Sequence, residues 1–497
     1  MFATAGRKWR ICCAVLATCL FIFAGADRQA NANQDRSDRS SLDSKPLPWE
    51  RKRHEKDLPP PEITGPRALL DLLGIDASQL ASLQNGQPLG PNDEETLVKI
   101  LFRLPAFPPD AEQRWCLNAP EWKRLVDSPE EHRAAMFSVN GRATRVDAVR
   151  LLPEAADRFE FATYYRVTLE IEGSPYSAIA CTRVIPKAWT VGVRLQEPCR
   201  LAGLFLKVVE PVGEPTQLVF ATARVAWFPD RPCEEKGVFP DHVYLASLGM
   251  DIGLFDEIRD RNRKPLGVKD RDGFYQLLVA VGKADPVELR RRANRSLDLE
   301  RLLGTPAAEH GKLQTVQGLA RRVTKIVLSD AGLSSRLGFD HYFQIDVFVP
   351  LGDKIIRLGE STPDREAPTF TNTYPVTACV RRLPPGLSEG ADIRREIRIP
   401  AVYFKLWSYH SEFVSAYDDR QMQLGPMLIG LEPEIVPKKR ASSPYVGLAA
   451  GLIAIAAMAG IWYGLWRWNR SDRPVSFTVP RQTLILPARE GNEKTED

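Results

Sequence analysis

One phrase occurs twice in this chain, and that repetition constrains the fold more than any other feature. The sequence VNGRATRVDAVRL begins at residue 139 and VQGLARRVTKIVL begins at residue 316, with six of the thirteen aligned positions identical. Gly141 matches Gly318, and Arg145 matches Arg322. Further matches continue on both sides at the same offset of 177 residues (316 minus 139). We therefore infer that one module was duplicated within this chain.

A mostly helical segment is predicted before each copy of the phrase, over residues 65–135 and 241–312. In both segments apolar residues recur at i, i+3, i+4 and i+7, which is the spacing of one buried stripe on an amphipathic helix. These residues are Leu97, Ile100, Leu101 and Leu104 in the first copy, and Phe274, Leu277, Leu278 and Val281 in the second. Asp93 and Asp270 precede the stripes and are predicted helix N-caps.

After the phrase, the apolar pattern changes to a period of two, which is typical of half-buried strands. YYRVTLEI at 164–171 aligns with HYFQIDV at 341–347, again at an offset of 177. The offset then becomes 198, since ACTRVIP begins at 180 and ACVRRLP at 378, and the second copy carries a longer loop, LGDKIIRLGESTPDREAPTF. Each copy offers about five strands.

This strand pattern resembles the OB-fold barrel. The glycine of the Val-x-Gly-x-Ala-x-Arg-Val phrase suits a bend that lets one strand cross both halves of a small barrel. The resemblance concerns the fold alone, and other five-stranded barrels, such as SH3-like ones, stay open. It implies an α+β chain with two tandem repeats of a helical segment and an OB-like barrel, whose surfaces bind oligonucleotides or oligosaccharides.

The first residues are typical of a secretory signal peptide. Arg7, Lys8 and Arg10 precede the apolar run ICCAVLATCLFIFAGA, and small-residue cleavage sites end at Ala26 and at Ala32. We expect a signal peptide over 1–32 and a polar linker over 33–64.

The run YVGLAAGLIAIAAMAGIWYGLW, residues 445–466, carries no charge and is long enough to cross a bilayer at ~1.5 Å per residue. Together with the signal peptide, it predicts a single-pass cell-membrane protein. A short stalk (436–444) would precede a C-terminal transmembrane helix, the large domain would be extracytoplasmic, and residues 467–497 would form a cytoplasmic tail. Two GxxxG pairs, Gly447 with Gly451 and Gly460 with Gly464, would contact partner helices and permit homo-oligomers, although membrane helices are commonly rich in glycine.

We find no motif of a catalytic, nucleotide-binding or metal site. The six histidines are scattered, and HExxH, GxSxG and GxxxxGK[ST] are all missing from the sequence. We therefore expect no enzyme activity, no cofactor and no metal, with an unrecognised enzyme as a third alternative. Of the cysteines beyond the signal, Cys181 and Cys379 occupy equivalent strand positions and are expected to be buried thiols, whereas Cys199 and Cys233 are the expected disulfide.

A candidate binding surface follows from the strands at 199–209 and 397–407. An aromatic residue stands two positions before a lysine in each copy, and strand alternation places such a pair on one face. The candidate residues are Phe205, Lys207, Tyr403, Lys405, Trp407, Arg183 and Arg381. The competing interpretation is that this face docks the helix of its own module, with each lysine stem packed against it.

Two functions remain after these exclusions. The first is a membrane-anchored, non-enzymatic scaffold that binds a protein partner through module 1 (65–232) and module 2 (233–435). The alternative is that the barrels, at 136–232 and 313–435, bind an oligosaccharide or a single-stranded nucleic acid. The net charge of +4 neither requires nor excludes a polyanionic partner.

Overall fold

The computed structural model describes residues 63–117, 121–359, 367–417, 420–437 and 444–471. The predicted signal peptide, nearly all of the polar linker, most of the stalk and most of the cytoplasmic tail lie outside these residues. The chain divides into two compact units, one ending at Val436 and one beginning at Pro437. Both modules belong to the first unit.

Helices and strands alternate in two blocks within the first unit. The helices are α1 (Pro66–Leu72), α2 (Ala77–Ala81), α3 (Pro91–Arg103), α4 (Ala111–Trp115), α5 (Trp122–Asp127), α6 (Pro129–His132), α7 (Pro153–Phe159), α8 (Pro240–Ser247), α9 (Leu254–Arg259), α10 (Arg271–Lys283), α11 (Pro286–Arg292), α12 (Leu299–Gly304), α13 (Ala331–Leu337) and α14 (Glu412–Ser415). The strands of module 1 are β1 (Cys116–Leu117), β2 (Met136–Arg150), β3 (Thr163–Ile171), β4 (Ser177–Thr182), β5 (Arg194–Val209) and β6 (Gln217–Trp227). Those of module 2 are β7 (Leu313–Val327), β8 (His341–Pro350), β9 (Ile356–Arg357), β10 (Thr369–Phe370), β11 (Thr373–Val380), β12 (Arg395–Tyr409), β13 (Gln423–Gly430) and β14 (Glu434–Ile435).

Each module closes a five-stranded barrel with OB-type topology. In module 1 the strand order is β2-β3-β4-β6-β5, and β5 pairs back onto β2. In module 2 it is β7-β8-β11-β13-β12, and β12 pairs back onto β7. The third and fifth barrel strands run parallel in both copies, β4 with β6 and β11 with β13. This order is that of the five-stranded Greek-key OB barrel, so the sequence resemblance is confirmed at the level of the fold.

The repeated glycine lies where the first barrel strand meets a neighbouring strand closely. A Cβ on Gly141 would overlap the carbonyl oxygen of Glu170, and one on Gly318 would overlap that of Phe348. Both contacts are with backbone atoms, which cannot rotate away as a side chain can. The repeated phrase thus keeps glycine because any side chain would push the second barrel strand aside.

Three buried clusters hold the first unit together. One joins α1–α4 to the outer wall of barrel 1, and a second fills the interior of barrel 2. The largest runs from the interior of barrel 1 through α8–α10 to the outer wall of barrel 2. Asp251, which is 1% exposed, accepts the backbone N–H of Trp227 at 2.9 Å and pairs with Arg224 at 2.7 Å. The helices of module 2 are therefore buried against both barrels, and the two modules pack together.

The alignment of the second barrel strand needs a correction of one residue. Val146 is the register partner of Val167, whereas the equivalent Val323 is the partner of Ile345, so the offset at this strand is 178. The sequence alignment used 177 and paired Tyr164 with His341. The loop before the strand has one extra residue in module 2, and a one-residue slip moves every side chain to the other face. Tyr164 is therefore equivalent to Tyr342, and both rings are buried against their own module's helices.

The C-terminal run forms α15 (Pro444–Ser471), which is described here by itself. None of the helices in the described ranges combines the length and apolarity that crossing a bilayer requires. The predicted transmembrane helix at 445–466, and with it the single-pass membrane localisation, is therefore wrong. Alanine and glycine fill ten of the 22 positions of this run, and both contribute little apolar surface per residue.

Candidate nucleic-acid interface

Four residues of the predicted binding surface are buried inside the modules. Phe205, Lys207, Tyr403 and Lys405 are each 0% exposed. The Nζ atom of Lys207 lies 2.8 Å from Oδ2 of Asp93, and that of Lys405 lies 3.0 Å from Oδ2 of Asp270. Each aspartate also accepts a backbone N–H at the start of its helix, from Gly90 and Gly267 respectively. The lysines thus tie each barrel to its own helical segment and cannot contact a ligand.

The strand alternation that suggested one shared face is broken by a bulge. The register of β5 shifts between Phe205 and Lys207, and that of β12 shifts between Tyr403 and Lys405. A bulge inserts one residue and re-aims the side chains that follow it. Phe205 consequently packs inside barrel 1, with its ring 5.7 Å from that of Phe220, while Lys207 faces α3.

Trp407 and the two cysteines of the expected disulfide also differ from the prediction. The ring of Trp407 is stacked on Tyr409 with centroids 4.6 Å apart, and its buried Nε1 has no hydrogen-bond partner in the described part of the chain. Cys199 and Cys233 are both free thiols. Cys199 lies in the wall of barrel 1, whereas Cys233 opens a loop that closes on Val238, so the predicted disulfide is wrong. Cys181 and Cys379 are buried cysteines, as predicted.

The glycine pairs of α15 keep the status of a prediction. A Cβ on Gly451, Gly460 or Gly464 would have no atom within 4 Å. The surroundings of Gly447 lie outside the described part of the chain.

Arg183 and Arg381 are the two arginines of the predicted surface; both are half-buried, and each lies over a phenylalanine. The guanidinium carbon of Arg183 is 4.4 Å from the ring centroid of Phe161, and that of Arg381 is 3.5 Å from that of Phe339. Both phenylalanines lie in the loop between the first and second barrel strands, and both arginines directly follow the third. The duplication therefore preserved one arginine–phenylalanine contact at the same end of each barrel.

In module 1 three further arginines lie near aromatic rings around this contact. The distances from guanidinium carbon to ring centroid are 5.2 Å for Arg103 over Phe102, 5.2 Å for Arg158 over Phe159, and 5.6 Å for Arg166 over Tyr164. The rings of Phe102 and Phe159 are themselves 5.7 Å apart. We call this surface the arginine–aromatic patch, comprising Arg103, Arg158, Arg166 and Arg183 with Phe102, Phe159, Phe161 and Tyr164.

Hydrogen bonds fix the centre of the patch. Nη2 of Arg166 donates to the hydroxyl of Tyr164 at 2.8 Å, and that hydroxyl donates in turn to Glu94 at 3.4 Å. Burial raises the pKa of Tyr164 to about 12, so the hydroxyl stays protonated and able to donate. The Nε of Arg166 is buried and has no hydrogen-bond partner among the described residues. Because this donor is shielded from solvent, a ligand could reach only the other nitrogens of the guanidinium group.

Acidic side chains lie close to the arginines. Glu95 lies 2.9 Å from Lys99 and 3.9 Å from Arg158, and Glu154, Asp157 and Glu160 are exposed on or next to α7. The local field is therefore mixed in sign. The patch is distinguished by guanidinium groups close to aromatic rings rather than by a strong positive potential.

The corresponding loop of module 2 is covered. Arg336 of α13, the counterpart of Arg158 at the offset of 178, donates from Nη1 to the carbonyl oxygen of Pro109 in module 1. Leu333, Leu337 and Phe339 pack against the largest buried cluster, which joins the two barrels and is called the central cluster below. In module 1, by contrast, Leu152 is 78% exposed at the start of the loop that carries α7. The loop of module 1 packs on its own helical segment through Phe159, while Leu152 and Arg158 stay exposed.

Sequence reasoning selected Arg183 and missed the other seven residues of the patch. Phe102–Arg103 and Arg158–Phe159 are adjacent in the chain, and Tyr164 is two residues from Arg166. Arginine next to phenylalanine on a polar helix or loop is a signal that could have been noticed. The convergence of these pairs could not, because α3, α7 and β3 meet only in the folded module.

No family model matches this sequence. No curated protein matches it either. Among solved structures, the chain is similar to the single-stranded DNA binding protein from Thermus aquaticus, with 7% identity, 62% of this chain and 94% of that chain covered, and a TM-score of 0.15. Fission yeast Pot1 with ssDNA gives 10% identity, 64% and 88% coverage, and a TM-score of 0.15. A putative aspartyl-tRNA synthetase from Leishmania major Friedlin is 11% identical, with 50% of this chain and 48% of that chain covered and a TM-score of 0.14. Since these TM-scores are low, the fold assignment depends on strand order alone.

Proposed function

We propose that module 1 binds single-stranded nucleic acid on the arginine–aromatic patch. The observation that carries this proposal is the grouping of four guanidinium groups on one side of barrel 1, each 4.4–5.6 Å from the centroid of an aromatic ring. Guanidinium planes and aromatic rings stack with unpaired bases, and the guanidinium donors also reach phosphate oxygens. The role is binding and not catalysis.

The place of the patch on the barrel supports the proposal. OB barrels bind oligonucleotides across their second and third strands and beside the loop that follows the first strand. In barrel 1, Arg166 lies on the second strand, Arg183 directly follows the third, and Arg158 lies on α7 within that loop.

The choice of nucleic acid over oligosaccharide rests on how the rings are used. Sugars stack on open aromatic faces, but in this patch arginines lie over the rings, and Phe159 and Tyr164 are buried. What remains accessible is guanidinium, which suits bases and phosphates. The scaffold interpretation depended in part on a membrane anchor, which none of the described helices provides.

The test is the affinity of the full-length protein for a fluorescein-labelled oligo(dT) of about 20 nucleotides, long enough for one OB site. We expect the double variant Arg158→Gln with Arg183→Gln to bind at least about tenfold more weakly, since each stacked base is worth ~1–3 kcal/mol. Binding should weaken as salt rises, because each phosphate that the arginines neutralise releases counterions from the nucleic acid.

The matched control is Arg381→Gln with Arg382→Gln, which removes the same charge after the third strand of barrel 2. It should bind within about twofold of the unchanged protein, a difference well below the value of one stacked base. Equal losses in the two variants would show that charge alone, and not the patch, attracts the oligonucleotide. If the unchanged protein does not bind, the proposed function is wrong.

A further inference from the structure

A cavity on barrel 1, separate from the patch, has the features of a small-ligand site. It has a volume of about 420 Å³ and lies between the start of β5, the end of β6 and the loop that leads to module 2. Trp227, 3% exposed, and Val238, 1% exposed, contribute to its walls. A concave, largely apolar site of this size fits one small molecule.

The charges around the cavity are unbalanced. Arg194, Arg231 and Lys236 line it together with a single carboxylate, Glu197. Both oxygens of Glu197 are already engaged, because Nε1 of Trp227 donates to Oε2 at 2.8 Å and Nζ of Lys236 contacts Oε1. Arg194 and Arg231 are exposed and form no ion pair within the described ranges. Two guanidinium groups are therefore available to an incoming anion.

The walls of the cavity are held in place before any ligand binds. Cys233 and Val238 exchange both backbone hydrogen bonds, each at 2.9 Å, around the turn Glu234–Lys236. On the far side, Arg142 pairs with Asp230 at 2.7 Å. A preformed site loses little conformational entropy when a ligand enters.

From this geometry we infer that the cavity binds a small anion with a flat apolar body, such as an aromatic carboxylate. The apolar body would lie against Cys233 and the aliphatic stems of Arg194 and Arg231, above the buried Trp227 and Val238. The guanidinium groups of the two arginines would receive the anionic group, since a guanidinium fork matches a carboxylate in charge and shape. Glu197 holds the indole of Trp227 in its orientation. This inference does not depend on nucleic-acid binding, because the cavity and the patch share no residue.

The thiol of Cys233 lines the cavity and provides a local readout. We would measure the alkylation rate of Cys233 by iodoacetamide in the full-length protein, using mass spectrometry of its peptide. The probes are 2-naphthoate and its neutral analogue 2-naphthamide. Cys116, half-buried in the helical segment of module 1, is the internal control.

We expect 2-naphthoate at about ten times its dissociation constant to slow Cys233 alkylation about tenfold, because only the unoccupied fraction reacts. The rate at Cys116 should not change, and 2-naphthamide should not protect Cys233. In the variant Arg194→Gln with Arg231→Gln, protection by 2-naphthoate should be lost. The surface variant Arg124→Gln with Arg394→Gln, equal in charge, should keep it.

Three results would overturn the inference. The first is no protection by 2-naphthoate at millimolar concentration. The second is equal protection by 2-naphthamide, which would show that the anionic group is not recognised. The third is full protection in the Arg194→Gln, Arg231→Gln variant, which would place the anion elsewhere.

Discussion

The two modules share a barrel and its internal ties, but they differ in the loop that follows the first barrel strand. In module 1 this loop is exposed, and its Arg158 is part of the arginine–aromatic patch. In module 2 the equivalent Arg336 reaches Pro109 of module 1, and α13 is packed against the central cluster. Duplication copied the loop, but the place of each copy in the assembled unit decides whether the loop is free.

A second difference lies at the junction between the helical segment and each barrel, called the entry point below. In module 1, Nε of the buried Arg133 donates to the carbonyl oxygen of Leu206 at 2.9 Å. In module 2, His310 takes this place, and its Nδ1 is 2.6 Å from the equivalent carbonyl oxygen, that of Phe404. Arginine stays charged at all pH values relevant to proteins, whereas histidine changes charge. The two entry points should therefore respond differently to acid.

The largest predicted effect is a difference in stability between variants of the two buried lysine–aspartate ion pairs, Lys207–Asp93 and Lys405–Asp270. Lys207→Met leaves Asp93 buried with backbone N–H donors, whereas Lys405→Met leaves Asp270 with Arg261, 3.3 Å away. We expect Lys207→Met to lower the free energy of unfolding by roughly 3–5 kcal/mol and Lys405→Met by clearly less, because an unpaired buried charge is costly. Urea unfolding followed by circular dichroism measures both.

The matched double variant Lys207→Met with Asp93→Asn removes both charges and should recover much of the lost stability. Equal losses for the two single lysine variants would contradict the assigned role of Arg261.

Acid should destabilise module 2 through its two buried histidines. Burial lowers the pKa of His242 to about 4 and that of His310 to about 3. Below the ordinary histidine pKa near 6.5, both histidines are protonated in the unfolded chain but stay neutral in the folded chain. Stability is therefore lost as pH falls from 6.5 towards 4, at up to about 1.4 kcal/mol per pH unit for each histidine. Urea unfolding from pH 7 to pH 4.5 measures this slope.

His310→Gln should flatten that slope, even if it lowers stability at neutral pH. The control His132→Gln replaces a half-buried histidine just before barrel 1 and leaves both buried histidines of module 2 in place. If stability falls with pH at the same slope in the unchanged protein and in both variants, the acid sensitivity does not come from His310.

A smaller effect of opposite sign is expected from Asp346, whose counterpart in module 1 is Thr168. Burial raises the pKa of Asp346 to about 7, with Arg322 only partly offsetting it. Between pH 4 and 7 the folded chain holds a proton that the unfolded chain has lost. This group therefore lowers stability as pH rises, by at most about 1.4 kcal/mol per pH unit.

Asp346→Thr, which copies module 1, should raise the free energy of unfolding more at pH 8 than at pH 5. A gain that is the same at both pH values would rule out the proton as its cause.

The smallest effect concerns the docked loop. Arg336→Ala removes the hydrogen bond to Pro109, which is worth about 1 kcal/mol. Amide hydrogen exchange in α13 should accelerate by about five- to tenfold, as local opening becomes easier. The matched change Arg158→Ala should leave exchange in α7 nearly unchanged, since it removes an exposed 3.9 Å ion pair with Glu95, and exposed pairs contribute little stability. Equal acceleration in both loops would remove the distinction drawn between the modules.

Much of the barrel could be predicted from local sequence. The repeated phrase, the period-two strands and the helical stripes depend on short-range spacing, which the sequence displays directly. The register of the second strand could not be predicted from spacing, because one extra loop residue shifts it and only pairing with the first strand reveals that shift. The prediction of the binding surface was wrong for a similar reason. The bulges before Lys207 and Lys405 change which way these side chains point, and they are visible only in the pairing with the neighbouring strand.

The sequence by itself determined that this chain contains two related modules, each with helices before a small barrel, because periodicity and repetition are properties of the chain alone. Tertiary structure decided which side chains are buried and which loop stays open. Lys207 became an internal tie and Arg158 a surface group because burial depends on what packs against a residue from distant parts of the chain. The two copies can therefore be nearly the same in pattern and still differ in the surface that they leave to a ligand.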